Sequence, residues 1–523
     1  MPLPAEGTPW PPVAPEIRCS LDDWAAWYSA NPDRIADRYY NRQTHAGRYG
    51  QPRNRPSQYR GGIIGGLARM FWGEPTPLGE KRTKLHVPLA ADIARTSSDL
   101  LFSEPPALKV EDPATQEQLE EMLATDLRRT LLTAGETGAA LGGAYLRTSW
   151  DLAISDRPWI STVAGDAGIP EFRYGRLLAV TITDVLEVDG QTVIRHLERH
   201  ERGWILHEVY RGTVDNLGKP IGVKAFEQTR DLLTERQLDA PDRLTISYMP
   251  NTVTARDWRD IPGTAGLGQS DYQGSETLLD ALDETYTSWM RDVRLAKSRI
   301  IVPDGYLQSN GPGRGASWED REVMVGMNIP PTESGKGITL NQFEIRHAEH
   351  KATAEELLGK IIRNAGYSGG TFGDDSDGAA LTATEIKARN ARSMSTRARK
   401  AELAEPAIAD IVEATLALWA SNLFPGAPPV QVQRPEVVFQ DSVQDDLKTL
   451  ADTALALRQA EAASTETLVA LVHPDWDEKG QKAEVARITK ESGRAVEDPT
   501  TIGDRAGQAE PDTGGTGGGG FPG

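Results

Sequence analysis

The sequence predicts an α+β fold, and three observations carry that prediction. Apolar and polar residues alternate between residues 144 and 248, as in Ala144-Tyr-Leu-Arg-Thr-Ser-Trp150 and Trp204-Ile-Leu-His-Glu-Val-Tyr210, the period-two pattern of half-buried strands. Apolar residues at three-to-four spacing lie on both sides of that stretch, with Trp24, Trp27 and Tyr28 before it and Leu278, Leu282, Tyr286 and Val293 after it. Residues 383–423 are a long run of strong helix formers broken only by Pro406. Strands and helices are segregated along the chain rather than alternating.

With 523 residues the chain is long enough for several well-buried cores. A net charge of −19 argues against tight nucleic-acid binding by the chain as a whole, because affinity for phosphate comes from Lys and Arg displacing counterions. The single cysteine, Cys19, excludes an internal disulfide and any Cys-based zinc site. There is no signal-peptide pattern at the start and no uninterrupted apolar run of membrane-spanning length. The expectation is a soluble, unexported protein with no membrane partner.

In chain order, residues 1–20 are Pro-rich and are expected to be a flexible extended arm. A helix is expected over 21–40, and residues 43–83, rich in Gly, Arg and Pro, are irregular. A helix over 87–102 ends at Pro105-Pro106. Asp112-Pro113 supplies an N-cap and a first-turn proline for a helix through Leu132. Strands follow at 144–150, 177–188, 193–197, 204–210 and 244–248, with a hairpin across the turn at 201–203. Ser270-Asp-Tyr-Gln273 reads as a capping box opening a helix to about residue 299. A compact insert of short strands then precedes a second capping box, Thr353-Ala-Glu-Glu356, and a helix through Asn364.

The loop that follows, YSGGTFGDDSDGAA at 367–380, holds four glycines and three aspartates. Thr382-Ala-Thr-Glu385 caps the long helix, which Pro406 is expected to kink. Beyond it Ile408, Ile411, Val412, Leu416, Trp419 and Leu423 form an apolar face. Before it Lys387, Arg389, Arg392, Arg397, Arg399 and Lys400 make the helix polar on nearly all sides, so its expected partners are neighbouring subunits rather than its own core. Short strands near 430–432 and 437–439, helices at 442–463, 465–472 and 475–491, and a disordered Gly/Pro/Asp tail at 493–523 complete the chain.

No catalytic signature emerges. Glu333-Ser-Gly-Lys336 lacks the first glycine and closing hydroxyl of a phosphate-binding loop, and His200-Glu201 is not followed by a second histidine. His196, His200 and His207 read as strand histidines in a solvated hairpin, and His347 and His350 as residues at a strand-to-helix junction. Asp374, Asp375 and Asp377 are the residue type of a two-metal nuclease. They share one glycine-flanked loop, however, whereas such sites need ligands positioned separately on rigid elements. Neither enzymatic activity, cofactor nor metal is expected.

The order of elements resembles the portal (head-to-tail connector) proteins of long-tailed double-stranded DNA bacteriophages over about 21–491. The residues that carry the resemblance are Ala140-Leu-Gly-Gly-Ala-Tyr-Leu-Arg-Thr-Ser-Trp-Asp151, Ile169-Pro-Glu-Phe-Arg-Tyr-Gly-Arg176, Leu267-Gly-Gln-Ser-Asp-Tyr-Gln-Gly-Ser-Glu-Thr-Leu-Leu-Asp-Ala-Leu282 and Thr382-Ala-Thr-Glu-Ile386. It implies a portal-type fold with a mixed α/β wing (21–270), stem helices (271–299 and 349–366) and a small β-containing clip (300–348). A tunnel loop (367–380), a kinked channel helix (381–424), wing return strands (425–440), a helical crown (441–492) and a tail (493–523) follow.

The resemblance further implies a twelve-subunit ring at one capsid vertex of the virion, assembled in the host cytoplasm. Its implied partners are the major capsid protein, the packaging motor terminase, the head-completion adaptor, and double-stranded DNA passing through without sequence specificity. Tyr367, Phe372, Asp374, Asp375 and Asp377 would then belong to the loop that meets DNA, and Lys387 to Lys400 to an intersubunit face. An acidic lining repels phosphate only within about 8 Å of the wall at physiological salt, which suits sliding without sticking. The rival readings are a metal-dependent nuclease built on the Asp374 cluster and a capsid or scaffold subunit without a channel.

Overall fold

The computed structural model describes residues 3–38, 85–239, 243–296, 345–373, 383–439 and 447–491, except positions 254, 255, 265, 461, 474, 475 and 477, together with five short strands between 299 and 341. The expectations for 43–83 and 493–523 fall outside the described residues.

Helix α1 (Pro15–Tyr28) begins and ends earlier than the expected 21–40. Ala30 takes a left-handed φ of 50°, and the Asn31 side chain accepts from the N–H groups of Asp33 and Arg34 to open a separate α2 (Pro32–Ala36). Asn31-Pro32 is an N-cap followed by a first-turn proline, a stop-and-restart signal in mid-pattern. Trp24 and Trp27 bury their indoles on the predicted side.

Helix α3 (Leu89–Phe102) is followed by β1 (Ala107–Lys109) and α4 (Pro113–Met122), which Asp112 caps as expected. The helix does not stop at Leu132. A π turn over Leu123–Leu127 carries it into α5 (Arg128–Leu141), which ends at left-handed Gly142. Gly135 lets α5 press against α3: a Cβ there would stand 2.8 Å from Phe102 Cδ2 and 2.9 Å from Ser98 Oγ.

Eight strands come next: β2 (Gly143–Ser149), β3 (Trp159–Ala164), β4 (Gly168–Arg173), β5 (Arg176–Asp189), β6 (Thr192–Glu201), β7 (Trp204–Thr213), β8 (Asn216–Pro220) and β9 (Glu235–Gln237). They and β10 (Ile246–Pro250) form two antiparallel sheets, β10-β2-β3 and β4-β5-β6-β7-β8, with β9 pairing β7. The predicted hairpin is present: Glu201 pairs with Trp204 across a tight turn whose Gly203 has φ 72°.

Helix α6 (Glu276–Leu295) starts beyond the capping box read at 270–273. Gly274 is left-handed at φ 78°, and Ser270 Oγ and the Asp271 N–H both donate to the Ala139 carbonyl, so that segment is folded back on α5 instead. Strands β11 (Arg299–Pro303), β12 (Gln308–Ser309), β13 (Ala316–Ser317), β14 (Met324–Met327) and β15 (Thr339–Asn341) follow, with β11 parallel to β14 and antiparallel to β15. Helix α7 (His347–Asn364) returns along α6, and Thr353 sits inside it rather than at its start, its hydroxyl bonded back to the Glu349 carbonyl at 2.8 Å. Helix α8 (Ala383–Trp419) continues through Pro406, and β16 (Glu436–Val438) pairs antiparallel with β1.

Two cores result. One joins Trp24, Trp27, Ile93, Leu282, Ile361 and Tyr367, uniting α1, α3, α6 and α7. The other sets the predicted apolar face, Ile408, Ile411, Val412 and Leu416, against Leu131, Leu146 and Ile160. Residues 441–523 form a second unit, described over α9 (Leu447–Gln459), α10 (Thr465–Val472) and α11 (Glu478–Glu491). No helix among the described residues is long and apolar enough to cross a membrane.

Two further expectations are corrected. The Pro-rich arm is not free: residues 3–10 lie along β8, with Trp10 buried. The hairpin histidines are not solvated either. His200 is fully buried between Thr245 Oγ1 (2.8 Å) and Glu198 Oε1 (2.7 Å), Arg147 holds the other Glu198 oxygen at 2.9 Å, and His196 stacks on His207 with ring nitrogens 3.2 Å apart. A period-two pattern says which residues share a face, but not whether other elements cover it.

This network predicts acid sensitivity. Burial, above all, depresses His207 from 6.5 to about 4. Burial acts to raise the Glu198 carboxyl, but the hydrogen bond and charge of His200 and the charge of Arg147 outweigh it and bring the group from 4.5 down to about 2. Both folded values lie below the unfolded ones, so the stabilisation is complete above 6.5 and is lost as pH falls, first through His207 and then through Glu198. Amide-exchange protection of residues 192–213, corrected for intrinsic rates, should therefore fall between pH 6.5 and 4. His207→Gln, which cannot take up a proton there, should flatten that part of the profile.

Candidate functional site

The segment singled out by sequence, the Gly/Asp loop and the basic first half of α8, is anchored by a chain reversal at the end of α7. Gly366 at φ 91° donates to the Arg363 carbonyl, and Tyr367 N–H donates to the Ile362 carbonyl, satisfying last-turn acceptors of α7. A Cβ on Gly366 would stand 2.9 Å from Thr396 Oγ1, whose hydroxyl donates to the Gly366 carbonyl at 2.6 Å. Ser393 Oγ accepts from Ser368 N–H at 2.9 Å and meets Thr371 Oγ1 at 2.7 Å. The start of the loop is thus stitched along α8 by hydroxyls, through the short 3-10 turn Gly369–Phe372. Asp374, Asp375 and Asp377 lie outside the described residues, as do the side chains of Lys387 and Arg389.

Tyr367, expected to belong to the DNA-facing loop, is turned inward and is 1% exposed. Phe372 is part-buried against the same core, its ring 6.1 Å from Tyr367 edge to face. The Tyr367 hydroxyl donates to Asp271 Oδ2 at 2.9 Å. Asp271 in turn receives the Lys400 ammonium at 2.7 and 2.6 Å and the Asn251 amide at 2.7 Å. Lys400 also donates to Ser97 Oγ at 2.6 Å and stands 5.7 Å from the centre of the Tyr367 ring. Burial pushes the Lys400 ammonium down, against the opposing charge and hydrogen bond of Asp271. Burial likewise drives the Tyr367 phenol well up, assisted by the Asp271 charge.

The basic half of α8 was expected to lack partners within its own chain, and for Arg392, Arg397 and Lys400 this is corrected. Arg397 is buried and donates to the Leu100 carbonyl at 2.7 Å; Arg392 donates to the Arg363 carbonyl at 2.7 Å. Leu100 and Arg363 sit in the last turns of α3 and α7, where carbonyls lack helical donors and carry the negative end of the helix dipole. The guanidinium groups cap two neighbouring helices, so a polar face serves intrachain packing. Arg399 is exposed. Asp271, Ser97 and Asn251 escaped sequence reasoning: Asp271 was read as part of a capping box, and nothing local marks a residue whose partner is distant.

Among the described residues no group of three or more His, Cys, Asp or Glu side chains is arranged to hold a metal ion. His350, at the junction flagged by sequence, is bonded to Asp292 at 3.0 Å, and Arg346 shares the same carboxylate.

Residues 264–498 match the sequence model of the family described as "Phage portal protein, SPP1 Gp6-like". The curated proteins contain no match to the chain. Among solved structures, one described as the neck of a native GTA particle computed with C12 symmetry matches at 13% identity, covering 73% of this chain and 88% of that one with a TM-score of 0.36.

Removing one partner from the buried pair should be costly, because it strands the other charge. Lys400→Met is expected to destabilise the chain by about 3–5 kcal/mol. Adding Asp271→Asn, which leaves no charge behind, should recover a clear part of that loss. Denaturant midpoints of the three proteins check both expectations.

Proposed function

We propose that this chain is the ring-forming subunit of a phage head-to-tail connector, on the premise that residues 264–498 are portal-family sequence. That match carries the reading. It spans α6, the short strands, α7, the Gly/Asp loop, α8 and the helices of the second unit, the elements to which a stem, clip, tunnel loop, channel helix and crown are assigned. In this reading twelve copies surround a channel at one capsid vertex. Terminase docks on the clip during packaging, the head-completion adaptor replaces it, and the major capsid protein surrounds the wing. DNA passes without sequence-specific contact. The role is structural rather than catalytic, and a net charge of −19 per chain supports a lining that does not retain phosphate.

Purified protein should form a ring with an axial hole in class-averaged electron micrographs, with a mass near twelve times the 57.0 kDa chain. A monodisperse monomer across protein concentration and salt overturns the proposal.

The loop reading has its own test. Asp374, Asp375 and Asp377 together would place three negative charges per subunit at the constriction. Changing all three to Asn keeps their shape and removes the charge, so rings should still assemble while DNA translocates more slowly and with altered salt dependence. An unchanged packaging rate and salt dependence would reduce the loop to a connector between α7 and α8.

A further inference from the structure

A cleft of about 640 Å³ opens between the π turn and first turns of α5 (122–133), the segment leading into β3 (154–162) and Trp419, the last residue of α8. Trp159 and Trp419 give it aromatic walls, and Ile154, 74% exposed, adds bare apolar surface. Among the described residues that line it, Asp126 is the one carboxylate, against the guanidinium groups of Arg129 and Arg157. Arg157 is tied to Glu121 at 2.6 Å and to Gln118 at 3.3 Å, and lies 5.7 Å from the centre of the Trp419 ring. The Arg129 side chain is 83% exposed and reaches Asp126 at 3.6 Å, an ion pair of small energetic weight. The Trp419 Nε1–H is buried without an acceptor. A guanidinium carries five N–H donors and an indole one, with no acceptor on either. The lining therefore has donors to spare, on a chain whose net charge is −19.

The turn joining β5 to β6 offers the complement. Glu187, Val188, Asp189, Gly190 and Gln191 are all exposed, Val188 by 63%. Successive strand residues point to opposite faces, so exposure of Glu187, Val188 and Asp189 together means that both faces of the hairpin end are uncovered. Gly190, at φ 57°, lies in the tight turn across which Asp189 pairs with Thr192. Neither carboxylate of the tip has an ion-pair partner among the described residues. The tip thus holds two free acceptors around one bare valine, and the cleft holds free donors around a bare isoleucine and two indoles.

We propose that the β5–β6 tip of one copy of this chain seats in the cleft of the next, with Glu187 and Asp189 meeting Arg129 and Val188 meeting Ile154 and Trp159. Opposite charge and apolar surface are matched in the same contact, and carboxylate–guanidinium bonds are among the stronger hydrogen bonds available to fix its register. Tip and cleft are different surfaces, so the contact is head-to-tail. Such contacts close into rings, whereas a two-fold dimer needs one surface paired with itself. The inference rests on the ring-forming reading and names a contact between neighbouring subunits.

Two charge-reversed full-length chains test it, one carrying Glu187→Lys with Asp189→Lys and the other Arg129→Glu. Assembly is followed by mass photometry against protein concentration. Each variant alone sets like charges at every junction, and should raise the concentration at which half the chains are in rings by at least about tenfold. An equimolar mixture should regain wild-type assembly. In it the lysine tip of one chain faces the glutamate cleft of the other, and the unaltered tip and cleft meet at alternate junctions. Wild-type assembly by either variant alone, or two impaired chains that do not rescue each other, overturns the proposal. A wild-type chain that stays monomeric overturns the connector reading itself, and this contact with it. Should a reversal fail to fold, Glu187→Gln with Asp189→Asn, and Arg129→Gln, serve in the same titration. Each of these should weaken assembly, and unchanged assembly by either overturns the proposal.

Discussion

Burying the Lys400 ammonium and the Asp271 carboxylate costs several kcal/mol per ion before any contact is made, and mutual attraction offsets this only where the remaining donors and acceptors are also satisfied. Ser97, Asn251 and Tyr367 supply those extra bonds. The arrangement is therefore demanding rather than simply stabilising: each of five segments must arrive in one position for the charges to be tolerated. Asp271 precedes α6, Tyr367 follows α7, Lys400 is on α8, Ser97 is on α3 and Asn251 follows β10. Such a knot specifies geometry, because a slip of α8 by one residue would leave two unpaired charges in the core.

Helix α8 accordingly works by two kinds of packing along one axis. Its first half engages hydroxyls, helix-end carbonyls and a carboxylate through Ser393, Thr396, Arg397 and Lys400. Its second half, from Ala404 onward, buries Ile408, Ile411, Val412 and Leu416 against α5 and the β10-β2-β3 sheet. Pro406 lies close to where one regime gives way to the other, and its missing N–H leaves the Glu402 carbonyl without its helical donor at that point. A directional polar half sets the register, and a non-directional apolar half supplies most of the burial.

At the opposite end of the chain the same logic holds for the arm. An edge strand with unpaired backbone groups is an association hazard, and residues 3–10 answer it with a proline-rich strand and a single tryptophan. Arg18–Asp215 at 3.4 Å and Lys219–Glu6 at 3.6 Å add exposed ion pairs of small energetic weight. The Trp10 socket and the backbone bonds carry the attachment.

How much of this was legible without the structure follows from the range of the forces involved. The hairpin at 192–213, the cap at Asp112 and the apolar face at 408–416 are written locally, since period and capping residues depend on neighbours a few positions away. The portal resemblance also rested on the local order of elements; of the four segments that carried it, those at 267–282 and 382–386 lie within the matched residues 264–498, and those at 140–151 and 169–176 lie outside them. Three features were decided by tertiary structure alone. Lys400 finds Asp271 across 129 positions and Ser97 across 303, so no window of sequence reveals that a basic helix face is buried. Ser270-Asp271 has the residues of a cap, yet the Ala139 carbonyl and Lys400 outcompete the local backbone for them. The Pro-rich arm has the composition of a free segment, and only the presence of a socket between β6, β7 and β8 turns Trp10 from a solvent-exposed residue into an anchor. Composition sets what a segment can pay in conformational entropy, whereas the surface waiting for it is assembled from residues far away in the chain.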